Sequence, residues 1–436
     1  MTIGKDDTGR GSTAPMSGAQ SRNGGHGAAS SRDSSGHHAA GARDGSAAGA
    51  AARDATVARR VEALDLLRGL VVALMVLDHV REYFSAQAFQ FDPLDVSQTN
   101  PSLFATRWIT HLCAPTFVFL AGASAHLQRT RGMPDAVLRR RLVSRGLWLI
   151  FLELTLIGFA FNFAAPFLFL QVIWAIGIGM VVLACLTFLP NWVAGIVGLA
   201  ALAFTPILAA ATASPDPSPL WHILLMPGPL TPLPGMVAYP ALPWFGVLAL
   251  GYAAAPLLAC PASIMRRRAI AAGLLLIAAF VALRLSGIGD VRTGGTGPTL
   301  LLQALSHLNV SKYPPSIQFV ALTMGVAALL LALLTALPAR RLPMLHAFGR
   351  APFFTYILHI YIIHTLALVV GLAWGLPAGA FTHFIEGNPA LKEAGWGFGL
   401  AIVYLIWIGV LLALRPAAIW FARLKDRGGR WWLSYL

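Results

Sequence analysis

Stretches of about 20 apolar residues recur along this chain. They lie near residues 65–84, 103–126, 143–162, 168–189, 192–213, 239–258, 268–286, 317–337, 352–373 and 396–415. A stretch of that length crosses a bilayer as a helix. Lipid offers the backbone no hydrogen-bond partner, so a helix must satisfy its own amides. The expected fold is all-α: a polytopic integral membrane protein of about ten transmembrane helices. Only 11% of the residues are charged and 57% are hydrophobic, whereas soluble domains carry roughly 25% charged residues.

A formal net charge of +14 would suit a nucleic-acid binder, but the charges sit in the wrong places for one. Arg59 and Arg60 precede the first apolar stretch. Arg129, Arg131, Arg139, Arg140, Arg141 and Arg145 follow the second. Arg266, Arg267 and Arg268 follow the sixth, and Arg340, Arg341 and Arg350 the eighth. Arg423, Lys425, Arg427 and Arg430 follow the tenth. Alternate connectors are thus basic, which is the positive-inside pattern. Ten spans with both termini cytoplasmic fit every cluster. The lipid bilayer is the expected partner, nucleic acid is not, and a homo-oligomer is allowed for. The expected location is the bacterial cytoplasmic (inner) membrane.

Residues 1–58 are rich in Gly, Ala and Ser and poor in large apolar side chains. Such a segment buries too little surface to offset its ordering entropy, so it is expected to be a disordered cytoplasmic tail. It has no apolar core of the kind a secretory signal peptide needs. Residues 59–436 form the membrane domain. Cys113, Cys185 and Cys260 have no metal-ligand spacing, and no metal is expected.

Ionisable side chains are costly inside hydrocarbon, so those that persist there are functional candidates. The first apolar stretch, LDLLRGLVVALMVLDHVREYF (64–84), carries Arg68 and, after ten intervening residues, His79. At about 1.5 Å rise per residue, His79 lies roughly 16 Å further out than Arg68. His111 falls near the level of His79, with Arg107 one turn before it. Glu153 and His359 fall nearer the inner surface, and His364 nearer the middle. The expected arrangement has an outer layer of Asp78, His79 and His111 and an inner one of Glu153 and His359.

Imidazole exchanges protons near neutral pH, so His79 is the leading candidate for direct chemistry. Asp78 is adjacent and points about 100° away round the helix, toward a partner such as Arg81 or Arg107. Arg68 has two readings: a structural pair with Asp65, three residues earlier, or a guanidinium that grips phosphate. Glu153 is either a proton-path carboxylate or the partner of a buried His or Arg. His359 and His364 are five apart and do not share a metal-binding face.

Several blocks together carry a family resemblance. They are the 64–84 stretch, TRWITHLCAPTFVFLAGASAHL (106–127), LPWFGVLALGYA (242–253), NVSKYPPS (309–316), FGRAPFFTYILHIYIIH (348–364) and the terminal WWLSYL (431–436). This set resembles the bacterial heparan-alpha-glucosaminide N-acetyltransferase catalytic-domain proteins over nearly all of residues 60–436. The Arg68–His79 spacing also resembles the wider acyltransferase-3 group. The lysosomal acetyltransferase of this kind has Asn at the position of His79 and Asp at that of His111, so heparan as acceptor does not carry over.

The resemblance implies acyl transfer, acetyl first, from cytoplasmic acyl-CoA to a glycan or lipid-linked sugar on the far side. His79 would take the acceptor's proton, and Arg107 or His111 would stabilise the oxyanion. Arg68, Arg140 and Arg141 would hold the donor phosphates. Glu153, His359 and His364 would form a proton path or buried polar frame. A proton-coupled transporter or flippase using the same buried residues is the alternative. It expects paired broken helices, and no internal repeat stands out.

Overall fold

The computed structural model describes residues 61–164, 167–382 and 389–428. The tail expected over 1–58, together with Arg59, Arg60, Arg430 and the terminal WWLSYL block, lies outside them.

The described chain is almost entirely helical. Helix α1 covers residues 61–84. It is followed by α2 (Pro101–Thr110), α3 (Cys113–Thr130), α4 (Asp135–Leu152) and α5 (Gly158–Asn162). Next come α6 (Val172–Leu186), α7 (Asn191–Ala211), α8 (Pro219–Leu224), α9 (Ala241–Leu258), α10 (Ala262–Ser286) and α11 (Leu300–Ser306). The last five are α12 (Ile317–Thr335), α13 (Pro343–Arg350), α14 (Pro352–Ala373), α15 (Pro389–Glu393) and α16 (Leu400–Asp426).

Eight helical segments are long and apolar enough to cross a membrane. These are α2 with α3, α4 with α5, and α7, α9, α10, α12, α14 and α16. The chain is an integral membrane protein. Two of the ten expected spans do not meet that standard on their own. Helix α1 is long enough but carries Asp65, Arg68, Asp78 and Arg81 among its apolar residues. Helix α6 is apolar but only 15 residues long.

Three local features depart from simple spans. The stretch 103–126 is divided, with a turn at His111 and Leu112 separating α2 from α3. Pro115 explains the break: it has no N–H to give the carbonyl of His111, and its ring crowds that carbonyl. Helix α4 loosens into a π-helical turn over Glu153–Ile157 before α5. A small sheet also forms among the connectors, with strand order β1 (Leu168–Leu170), β3 (Gly235–Val237), β2 (Gly228–Pro229). Leu168 pairs with Gly235 in parallel and Gly228 with Val237 antiparallel.

Small residues set the closest helix contacts, as is usual where lipid supplies no hydrophobic drive between helices. Helices α4 and α6 meet at Gly146 and Gly177, and α10 and α12 at Gly273 and Gly325. The closest approach joins α13 to α1. A Cβ on Gly69 would strike the carbonyl of Leu345, and one on Gly349 would strike that of Asp65. Helices α7 and α10 present Trp192, Ile196, Phe204, Leu274, Leu275 and Leu285 outward, an apolar surface suited to acyl chains.

Candidate active site

Buried polar residues gather where α1, α2, α3 and α14 meet. Asp78 is the hub. Its Oδ1 accepts hydrogen bonds from Arg107 at 2.7 Å, Thr110 at 2.9 Å and Arg81 at 3.0 Å. All four side chains are largely shielded, and the two guanidiniums balance the buried carboxylate. Both partners expected for Asp78 are therefore present. Arg107 Nη1 is committed to Asp78 and Thr110, which places its guanidinium in the frame around the site. His111, in the turn before Pro115, packs its ring edge-on to Phe319 at 5.6 Å. Its Nδ1 has no hydrogen-bond partner among the described residues.

His79 takes its carboxylate from a residue the sequence reading did not single out. Its Nδ1 lies 2.9 Å from Glu82 Oε2. An ionised carboxylate can only accept, so Nδ1 is the donor, and in the neutral form of the ring Nε2 keeps its lone pair. The signal was present in the sequence: Glu82 is three residues on, so it shares a helix face with His79. It was overlooked because it stands at the polar end of the apolar run.

The expected two-layer arrangement needs correction at His359. Its ring centroid is 5.2 Å from that of His79, so the two histidines share one level. The depth estimate assumed that each span starts at the same plane. The level of His359 is set by how α14 packs against α1, and the ring contact with His79 fixes it. His359 Nδ1 donates to the Thr355 carbonyl at 3.2 Å, and its Nε2 has no partner among the described residues.

His364 is held quite differently. Nδ1 is 2.8 Å from the Ala160 carbonyl, Nε2 is 2.7 Å from that of Phe381, and the ring stacks on Phe163 at 3.7 Å. Tyr83, near the outer end of α1, also contacts it. His364 thus ties α14 to the end of α5. Glu153 Oε1 accepts from the backbone N–H of Gln171 at 2.8 Å, and Oε2 is unpartnered among the described residues. Of the two readings of Glu153, a proton-path carboxylate or the partner of a buried His or Arg, the second is not what the contacts show: its partner is a backbone amide.

Below this cluster opens a cavity of about 1060 Å³, bounded by α1, α3, α4, α6, α13, α14 and α16. Its end nearest His79 is walled by Met75, Phe117, Leu149, Val172 and Tyr356. Met75 lies one turn below His79 on α1, and Tyr356 one turn below His359 on α14. Toward the basic connectors the lining becomes cationic, with Arg68, Arg131, Arg141, Arg145, Arg350 and Lys425 against a single carboxylate, Asp65. Arg68 forms the structural pair expected with Asp65, at 2.8 Å. It also donates to Ser124 at 3.0 Å and lines the cavity. Arg141 lines it too, while Arg140 is exposed and outside the lining. Among the described residues no group of His, Cys, Asp and Glu is placed to hold a metal ion.

On the far side of the cluster, the connectors are knit together. Asn309 donates to the Leu94 carbonyl, Trp108 to that of Leu308, and Asp290 accepts from Ser311 and Ser316. Buried Lys312 lies 4.9 Å from the Tyr313 ring and 6.0 Å from that of Tyr239. In the same region, hydrogen bonds from the Ser97 hydroxyl and backbone, then from Gln98, hold the exposed Asp95 carboxyl below its ordinary range.

A helical membrane domain with a cationic cavity ending beneath a His–Glu pair is the kind of scaffold a membrane-embedded group-transfer enzyme uses. The family comparison narrows that class. Residues 60–283, more than half of the chain, match the model for the heparan-alpha-glucosaminide N-acetyltransferase catalytic domain, and the chain belongs to that family. No curated protein matches the chain in a direct sequence search.

Proposed function

We propose that this protein moves an acetyl group from cytoplasmic acetyl-CoA to an amine or hydroxyl of a glycan or lipid-linked sugar on the outer face. The observation that carries this reading is the cavity. It is cationic at the end that carries the basic connectors, which this reading assigns to the cytoplasm, and its lining reaches Met75, one turn short of His79. Its volume is at the upper end for ligand sites, about 300–1,000 Å³. CoA supplies a matching molecule: phosphates for Arg68, Arg141 and their neighbours, a slender arm for the apolar stretch, and a thioester for the far end.

The chemistry follows from the His79 tautomer. Glu82 holds the Nδ1 proton, which aims an unprotonated Nε2 at an acceptor arriving from outside. As the acceptor attacks the thioester carbon, Nε2 takes its proton and Glu82 stabilises the resulting imidazolium. The carbon–sulfur bond then breaks and the thiolate leaves with its electron pair. Asp78, Arg81, Arg107 and Thr110 fix α1 against α2 so that His79 cannot drift.

The test is to purify the full chain, measure acetyl-CoA binding by calorimetry, and measure acetyl transfer to a sugar acceptor by mass spectrometry. His79→Ala is expected to keep donor binding and lose transfer by roughly 10²–10⁴-fold. Undiminished transfer by that variant would remove His79 from the reaction. A wild-type protein that fails to bind acetyl-CoA would remove the reading itself.

A further inference from the structure

The end of the cavity nearest His79 contains one polar side chain that no described residue engages. Met75, Phe117, Leu149 and Val172 are apolar. Tyr356 completes that end, is only 3% exposed, and its hydroxyl has no hydrogen-bond partner among the described residues. A buried hydroxyl ordinarily finds a partner, and one left without it calls for an explanation. Tyr356 is also well located. It lies three residues before His359 on α14, with their rings 5.5 Å apart, and the His359 ring is 5.2 Å from that of His79.

We propose that the Tyr356 hydroxyl is a catalytic group that donates a hydrogen bond to the carbonyl oxygen of the donor thioester. This rests on the acetyl-CoA reading above and adds a residue to it. When the acceptor's nitrogen or oxygen attacks, a bond forms to the carbonyl carbon and the carbonyl electron pair moves to oxygen. Tyr356 stabilises that oxyanion without losing its own proton. The acceptor's proton goes to His79 Nε2. When the oxyanion collapses, the C–S bond breaks and its electron pair leaves with sulfur.

Competing donors are placed elsewhere. Arg107 does not line the cavity, and Arg68 lines it about two helical turns before Met75 on α1. The remaining cations of the lining sit toward the basic connectors. His111 does not line the cavity. The surroundings of Tyr356 are apolar, and a fixed donor in such a place acts on developing charge far more strongly than in water.

The experiment uses the full chain in detergent and acetyl-CoA labelled with ¹³C at the acetyl carbonyl. Isotope-edited infrared spectroscopy reads the carbonyl stretch of the bound molecule, and calorimetry reads its affinity. In the wild type the stretch is expected to move to lower frequency than in free acetyl-CoA. In Tyr356→Phe that displacement is expected to vanish while affinity changes little. The variant keeps the ring and removes a hydroxyl that bonds none of the described residues, so its thermal melt should match the wild type. A merely structural Tyr356 would alter the melt or the affinity but not the frequency of the bound carbonyl. A bound carbonyl with the same displaced frequency in both proteins overturns the assignment and leaves the donor reading intact. So does a wild-type stretch that is not displaced. Absence of acetyl-CoA binding to the wild type overturns both.

Discussion

His79 and Glu82 face each other across one turn of α1, with Nδ1 2.9 Å from Oε2. The contact does two things at once. It settles which imidazole nitrogen carries the proton, and it places a negative charge where a protonated ring would need one. Glu82→Gln keeps the shape and can still accept through its amide oxygen, but it loses the charge. Transfer by this variant is expected to fall on the order of 10–10³-fold, with acetyl-CoA affinity unchanged. Equal turnover of variant and wild type at saturating donor would show that the pair is only structural.

Asp78 has a different job, which stability measurements should expose. It is buried and is the shared acceptor for Arg81, Arg107 and Thr110. Asp78→Ala leaves Arg107 without its carboxylate and Arg81 with only Glu82, 3.7 Å away. Removing one partner of a buried ion pair costs about 3–5 kcal/mol, so a large drop in melting temperature in detergent is expected. A melt within error of the wild type would mean that water reaches this network freely.

The arginines of α4 offer an internal control. Arg141 lines the cavity, whereas the adjacent Arg140 is exposed and outside it. Arg141→Ala and Arg68→Ala are each expected to raise the KM for acetyl-CoA on the order of tenfold, as loss of a charge-assisted hydrogen bond implies. Arg140→Ala should leave KM unaltered. Steady-state kinetics decides the matter, and a KM effect confined to Arg140 would place the phosphates elsewhere.

Gly69 tests the contact between α1 and α13. Its Cα faces the Leu345 carbonyl with no room for a methyl group. Gly69→Ala should therefore destabilise the protein by about 1–3 kcal/mol, the usual range for overpacking. Because α13 bounds the cavity floor through Gly349 and Arg350, donor affinity should weaken as well. Thermal melting and calorimetry read the two effects separately, and an unchanged melt would contradict the tight contact.

Much of this architecture was legible because membrane physics leaves few options. Apolar length located the long helices, and the i, i+3 spacing pointed Asp78 to Arg81 and Arg68 to Asp65. What escaped notice was set by neighbours in space. The level of His359 depends on how α14 packs against α1, which no counting along α14 alone reveals. The break at His111 was in principle readable from Pro115, and the Glu82 pairing from its spacing to His79. The unpartnered hydroxyl of Tyr356 could not be read, since a side chain's lack of a partner is a property of everything around it.

The lining of the cavity draws on two distant parts of the chain. Arg68, Met75, Arg141 and Leu149 fall inside the 60–283 segment that matches the family model, while Gly349, Arg350, Tyr356 and Lys425 fall after it. A protein engineer who cut the gene at the end of that segment would obtain a bowl with one wall missing. The donor would lose cations on one side, and the thioester would face lipid where Tyr356 and His359 should stand. The smallest unit that can be transplanted, shuffled or minimised therefore has to extend at least through α16.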